Sequence, residues 1–174
     1  MPPTAEEIVE AVAGETTLCL DECLMRIRHC LGQLSDEQVW WRPYESMNSI
    51  GNLILHLNGN VRQWIVAGLG NAADDRNRPQ EFLERTMIPK DRMMAQLEGT
   101  ISEAKVVLSR ITADDVLEQR RIQGFDVNGF GVIFDCVPHF KGHTQEIICL
   151  TRWQLGDAYG FHWEPQTPEE GATE

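Results

Sequence analysis

Apolar positions recur at helical spacing in four long stretches of the chain, and polar, turn-forming residues separate them. In the first stretch Ile8, Val12, Cys19, Cys23, Leu24, Ile27 and Leu31 form one stripe. Thr4 followed three residues later by Glu7 is a capping-box signature, so the spacing predicts a helix running to about Gly32. A connector containing Trp40, Trp41 and Pro43 follows, with a short helical turn after Ser35. Asn48 or Ser49 then caps a second helix. Its stripe is Ile50, Leu53, Ile54, Leu57, Val61, Trp64 and Ile65, and it ends at Gly68 and Gly70.

The next segment, N-A-A-D-D-R-N-R-P-Q-E-F-L-E-R, is too long and polar for a tight hairpin and reads as a crossover with one short helix from Pro79. A third helix starts near Pro89 and Lys90 and carries Met93, Met94, Leu97, Ile101, Ala104 and Leu108. Thr112 caps a short turn. The period then changes around Gly124 and the Asn128-Gly129 pair, which predicts a small hairpin before the last helix. That fourth helix is expected from about Val132 to Leu155, stopping at Gly156. Four long amphipathic segments describe an all-α four-helix bundle, a single domain over residues 1–160, followed by an acidic tail over 161–174.

Composition narrows the function classes. At 174 residues the chain can bury one ordinary core without staples. Its net charge of -12 repels phosphate backbones, so no nucleic-acid partner is expected. No apolar run approaches the roughly 20 residues that span a bilayer, which excludes a membrane-spanning role. The acidic N-terminus lacks the features of a signal peptide, so a cytoplasmic location is expected. The five cysteines are odd in number. Cys19, Cys23 and Cys30 lie on one helical face, and they read as small apolar packing residues rather than disulfides.

The candidate chemistry lies in the histidines. His139 and His143 are four residues apart on the fourth helix, where i and i+4 Cβ atoms stand roughly 5 to 6 Å apart. Two ring nitrogens so placed can converge on one cation at about 2.0 to 2.1 Å each. His56, in the apolar run S-I-G-N-L-I-L-H-L, is a costly choice without a partner and supplies the third candidate ligand. His29 and His162 have no companion at ligand spacing and read as ordinary hydrogen-bonded residues. Glu146 shares a helix face with His139, His143, Leu150 and Trp153. Three roles fit it: a fourth ligand, a partner that sets a histidine tautomer, or a general base. The pattern lacks the inner glutamate of H-E-x-x-H, which disfavours protease chemistry.

W-W-R-P at 40–43, N-S-I-G-N-L-I-L-H-L-N-G-N at 48–60 and H-F-K-G-H-T-Q-E-I-I-C-L-T-R at 139–152 together resemble the DinB-like superfamily of four-helix-bundle metalloproteins. The resemblance implies an up-down-down-up bundle, a three-histidine site for a divalent metal at His56, His139 and His143, and a homodimer. It also implies kinship with enzymes that use bacillithiol, mycothiol or glutathione. Many relatives read H-x-G-Q-I where this chain has H-T-Q-E-I, so Glu146 stands where a glutamine is common.

The expected function is therefore that of a metal-dependent thiol transferase or hydrolase. Its three imidazoles would hold Zn, Ni, Fe or Mn, and Glu146 would be the catalytic residue. Its substrate would be a small molecule, with a low-molecular-weight thiol as partner, and Asn60 or Arg62 would shape the entrance. The alternative is a non-catalytic metal- or small-molecule-binding stress protein. Trp40, Trp41, Phe161 and Trp163, outside the main helices, offer surface for the homodimer.

Overall fold

Thr4 opens the first helix through both arms of its capping box: its hydroxyl accepts from the Glu7 amide at 3.2 Å, and its own amide donates to the Glu7 carboxylate at 2.7 Å. The same device recurs at Ser35, Ser49 and Thr112. These caps set the starts of α1 (Ala5–Gly32), α2 (Asp36–Trp40), α3 (Ile50–Val61) and α6 (Ala113–Leu117). α4 (Arg78–Leu83) begins with a proline in its first turn, α5 spans Lys90–Leu108, and α7 spans Gly129–Leu155. A two-stranded antiparallel hairpin, β1 (Gln119–Ile122) and β2 (Phe125–Asn128), precedes α7. This computed structural model describes residues 1–163; residues 164–174, most of the expected acidic tail, lie outside the described residues.

α1, α3, α5 and α7 form the bundle, and one core runs through it, with Leu20, Ile27, Leu53, Leu57, Leu97 and Phe140 fully or almost fully buried. Their directions follow from which ends meet. Lys90, at the start of α5, donates to the Leu31 carbonyl at the end of α1 at 2.9 Å and also to the Leu34 carbonyl. Asn52, in the first turn of α3, donates to the Glu84 carbonyl at 3.1 Å, near that same end. Gln154, at the end of α7, donates to the Gln38 carbonyl of α2 at 3.1 Å. α3 and α5 thus run opposite to α1, and α7 runs with it: the order is up-down-down-up.

Four local expectations are corrected. Ile8 is 52% exposed, and the buried face of α1 carries Val9, Ala13, Thr16 and Leu20 instead. The second bundle helix does not stay α-helical; beyond Val61 it widens into a π-helix over Arg62–Leu69. The wider turn buries three consecutive residues, Trp64, Ile65 and Val66, together with Leu69, which a narrow α-helical stripe does not accommodate. The hairpin turns at Gln123 and Gly124, both at positive φ, as a two-residue primed turn requires. The Asn128-Gly129 pair serves α7 instead: the Asn128 side chain accepts from the Gly131 amide at 2.8 Å, and the helix starts at Gly129 rather than Val132. Finally, Trp40 is half-buried and packs against the core rather than standing free at the surface. Its ring lies against Gly51, and its indole N–H donates to the Ile88 carbonyl at 2.9 Å.

Candidate metal centre

α3 presents a polar strip within an otherwise aliphatic helix: Ser49, Asn52, His56, Asn60 and, in the π segment, Gln63. Steps of three and four residues keep these side chains on one side. Each holds something. Asn52 takes hydrogen bonds on Oδ1 from the Ser49 amide at 3.2 Å, the Ser49 hydroxyl at 2.8 Å and Arg42 at 3.1 Å. Its amide nitrogen donates to the carbonyls of Glu81 at 2.9 Å and Glu84 at 3.1 Å. The crossover helix α4 is thereby stitched onto α3, with Glu81 beside His56.

His56 is 3% exposed. Its Nδ1 lies 2.8 Å from Glu81 Oε2. Arg76 closes the other side of that carboxylate, donating from Nε to Oε1 at 2.7 Å and from Nη2 to Oε2 at 2.9 Å, and reaches Gln63 Oε1 at 2.9 Å. Burial pushes the Glu81 carboxyl up, but the hydrogen bonds and charges of Arg76 and His56 outweigh it and hold the group below its ordinary value. An ionised carboxylate only accepts. Arg76 Nη2 stands 3.1 Å from the same nitrogen, but the shorter contact with Glu81 assigns the proton of His56 to Nδ1 and turns the Nε2 lone pair away from Glu81. Gly59 makes the approach feasible, because a Cβ there would overlap the Glu81 carboxylate.

His56 Nε2 faces His139 Nε2 at 2.8 Å. The ring of His143 completes the group, with centroids 5.1 Å from His56 and 4.5 Å from His139. One nitrogen from each of the three rings lies within 4.8 Å of the others. His143 Nδ1 is engaged by Glu146 Oε2 at 2.8 Å. Desolvation, helped by the neighbouring His143, His56, Arg76 and Arg78, lowers His139 from its ordinary 6.5 to about 4. The ring is thus neutral at neutral pH, the form that binds metal. Two imidazoles facing each other nitrogen to nitrogen need either a shared proton or a cation that accepts both lone pairs. The donor set, its spacing and the carboxylates behind two of the rings all fit a divalent ion.

A cleft of about 420 Å³ opens beside His56 and His139. Asn60, Trp64 and residues of the hairpin line it as well. Cys136 lies behind Asn60, to which its thiol donates at 3.4 Å, and burial pushes it up to about 12, so it is no nucleophile.

The three histidines expected from the sequence are thus brought together, with Glu146 on the outer nitrogen of one. Asn60 lines the cleft, but Arg62 does not; it pairs with Glu103 at 3.2 Å and Asp75 at 3.6 Å. Trp153, expected to look into the same space as the ligands, is 61% exposed and stands edge-on to Trp41. His29 and His162, read as solitary, stack with centroids 5.2 Å apart, and His29 donates to the Gly160 carbonyl at 2.6 Å. Sequence reasoning missed Glu81, Arg76, Asn52 and Gly59. The available signal was two asparagines and a glycine inside the leucine-rich α3.

Fold and site define a helical-bundle protein with a three-imidazole cluster able to hold a metal between its second and fourth long helices. The chain belongs to the DUF1572 family, described as a protein of unknown function, whose model matches residues 17–161. Its fold is similar to that of a conserved protein from Enterococcus faecalis, seen in a crystal structure, with a TM-score of 0.66 at 14% identity over 80% of this chain and 94% of that one. No curated protein matches the chain. Among the described residues, no helix is long and apolar enough to cross a membrane.

Proposed function

We propose that the protein is a divalent-metal protein of the DinB-like type, with His56, His139 and His143 as ligands, acting as a metal-dependent transferase or hydrolase on a small molecule. The observation that carries this reading is the pairing of the cluster with two carboxylates. Glu81 and Glu146 each hold the outer nitrogen of one ring at 2.8 Å, which turns the inner nitrogens of both toward the common centre. Solitary core histidines need no such arrangement. When bound, a divalent ion supplies Lewis acidity, acidifying a water or thiol and polarising an electrophile.

The chain's own residues do the rest. Glu81 and Arg76 fix the tautomer of His56, and Glu146 orients His143. In the reading as an enzyme, the Glu146 carboxylate also takes the proton released by the incoming nucleophile, the catalytic role expected from the sequence. The cleft beside His56 and His139 gives a small molecule access from one side. A low-molecular-weight thiol as co-substrate, a cytoplasmic setting and a homodimer belong to the same proposal. They are supported by the sequence resemblance.

Metal analysis after dialysis against a weak chelator tests the centre. The wild-type protein should retain one ion per chain, and each of His56→Ala, His139→Ala and His143→Ala should lose it. Retention by the His139→Ala, His143→Ala double variant would overturn the reading. A metal-loaded protein inactive on thiol-plus-electrophile, ester and amide substrates, with no exchangeable position on its metal, would instead mark it as a binding protein.

A further inference from the structure

The cleft beside the histidine cluster carries two charges that the protein does not use. Arg78, at the start of α4, lines it, yet among the described residues its guanidinium makes no ion pair or hydrogen bond; it lies over the Phe82 ring at 5.0 Å. Phe82 in turn packs on His56, with centroids 4.7 Å apart. A column of Arg78, Phe82 and His56 thus holds a cation beside the proposed centre. Asp135, one turn before His139 on α7, lines the same cleft and is likewise unpaired among the described residues. The other charged pairs around the site are matched: Arg76 with Glu81, Arg62 with Glu103, and Arg121 with Asp126.

A third group in this cleft also lacks a partner. Trp64, in the π-helical segment, is 6% exposed, and its buried indole N–H has no acceptor among the described residues. That N–H lies just beneath the lining, so its resonance reports what enters the cleft. The hairpin adds a further polar group: Gln123, another residue lining the cleft, stands at φ 52, a conformation that glycine or asparagine adopts more cheaply.

We propose that this cleft is a recognition subsite for a small zwitterion of the amino-acid type, whose carboxylate is bound by Arg78 and whose ammonium is bound by Asp135, beside the Trp64 side chain. A purely anionic ligand would leave Asp135 facing it, and a purely cationic one would meet Arg78; a molecule carrying both signs satisfies the two together. The volume of about 420 Å³ matches a ligand of that size. The inference deepens the metal-centre reading by naming the class of molecule delivered to it. It is testable on metal-free protein, so the two readings fail separately.

The measurement is an NMR titration of the metal-free chain, following the Trp64 indole N–H resonance, identified by its absence in Trp64→Phe. The probes are L-2-aminobutyrate, butyrate and propylamine, which keep both charged ends, the carboxylate alone and the amine alone. A charge-assisted hydrogen bond contributes about 1.5 to 3 kcal/mol, so the zwitterion should saturate at a concentration at least about tenfold below either half-molecule. Arg78→Gln should reduce aminobutyrate to the affinity of propylamine, and Asp135→Asn should reduce it to that of butyrate; both residues are exposed, so the fold survives. Equal titration by all three probes, unchanged midpoints in the two variants, or a resonance that none of the probes moves would each overturn the proposal. Metal retention by the same wild-type sample is scored independently: loss of the ion with the charge preference intact rejects the metal centre and keeps the subsite.

Discussion

Glu81 Oε2 lies 2.8 Å from His56 Nδ1, although the two residues come from different segments and the carboxylate belongs to a connection rather than to the bundle. Arg76 grips the same carboxylate through two nitrogens, and its side chain is as deeply buried as that of His56. Arg76 and Glu81 neutralise each other inside the fold, and His56 hydrogen-bonds the same carboxylate. Removing one strands the others.

Glu81→Ala should therefore destabilise the metal-free protein by about 3 to 5 kcal/mol, the range for a buried pair that loses one partner. Adding Arg76→Ala should cost less than the sum of the single changes, because the stranded cation goes too. Urea unfolding of the three variants checks this. Glu81→Gln, milder for the fold, should weaken metal affinity by about 10- to 100-fold through the loss of ring orientation.

Gly59 and Gly99 both sit in helices, and replacing them with alanine should have opposite effects. A Cβ at Gly59 collides with the Glu81 carboxylate, whereas Gly99 has open space around it. Gly99→Ala should stabilise by about 0.5 to 1 kcal/mol through helix propensity. Gly59→Ala should destabilise by about 1 to 3 kcal/mol, the strain of overpacking. Thermal unfolding of the pair reads the sign directly.

The metal-free protein should lose stability as the pH falls, in two windows. His139 is depressed from 6.5 to about 4, so between those values the unfolded chain binds a proton that the folded one does not, and stability drops from pH 6.5 downward. Glu81, also depressed, adds a further loss as the pH falls below its ordinary 4.5. In His139→Ala the upper window should flatten while the lower one remains. Chemical denaturation at closely spaced pH values distinguishes them.

Glu146→Gln separates positioning from proton transfer. The amide can still hydrogen-bond His143 through its oxygen, so the fold and the metal should persist with affinity reduced by about tenfold. If Glu146 takes a proton in the reaction, turnover should fall by about 100-fold or more. Turnover that falls only as far as metal occupancy does would restrict Glu146 to orienting the ring.

The four bundle helices were legible because each carries a long apolar period, and the first two also carry recognisable caps, at Thr4 and at Asn48 or Ser49. The histidine cluster was legible because His139 and His143 announce a shared face and His56 is out of place among leucines. What stayed hidden depends on contacts distant in the chain. Nothing in R-N-R-P-Q-E indicates that Glu81 will fold back onto α3, since charged residues before a short helix usually face water. The π-helix was invisible because Val61, Trp64 and Ile65 fit an α-helical period as well. The Asn128-Gly129 pair carries two meanings, hairpin turn and helix cap, and the neighbouring Gln123-Gly124 turn decided between them.

The stitching of α4 to α3 through Asn52 has a consequence for how such a molecule can be altered. In most bundles the long connection between two parallel helices is the permissive part, where insertions, nicks and new termini are absorbed at little cost. Here the stretch from Arg76 to Glu84 holds the proton of His56 in place. Cutting or lengthening it would leave the four helices packed, at reduced stability, around misdirected imidazoles: a bundle kept and a centre disarmed.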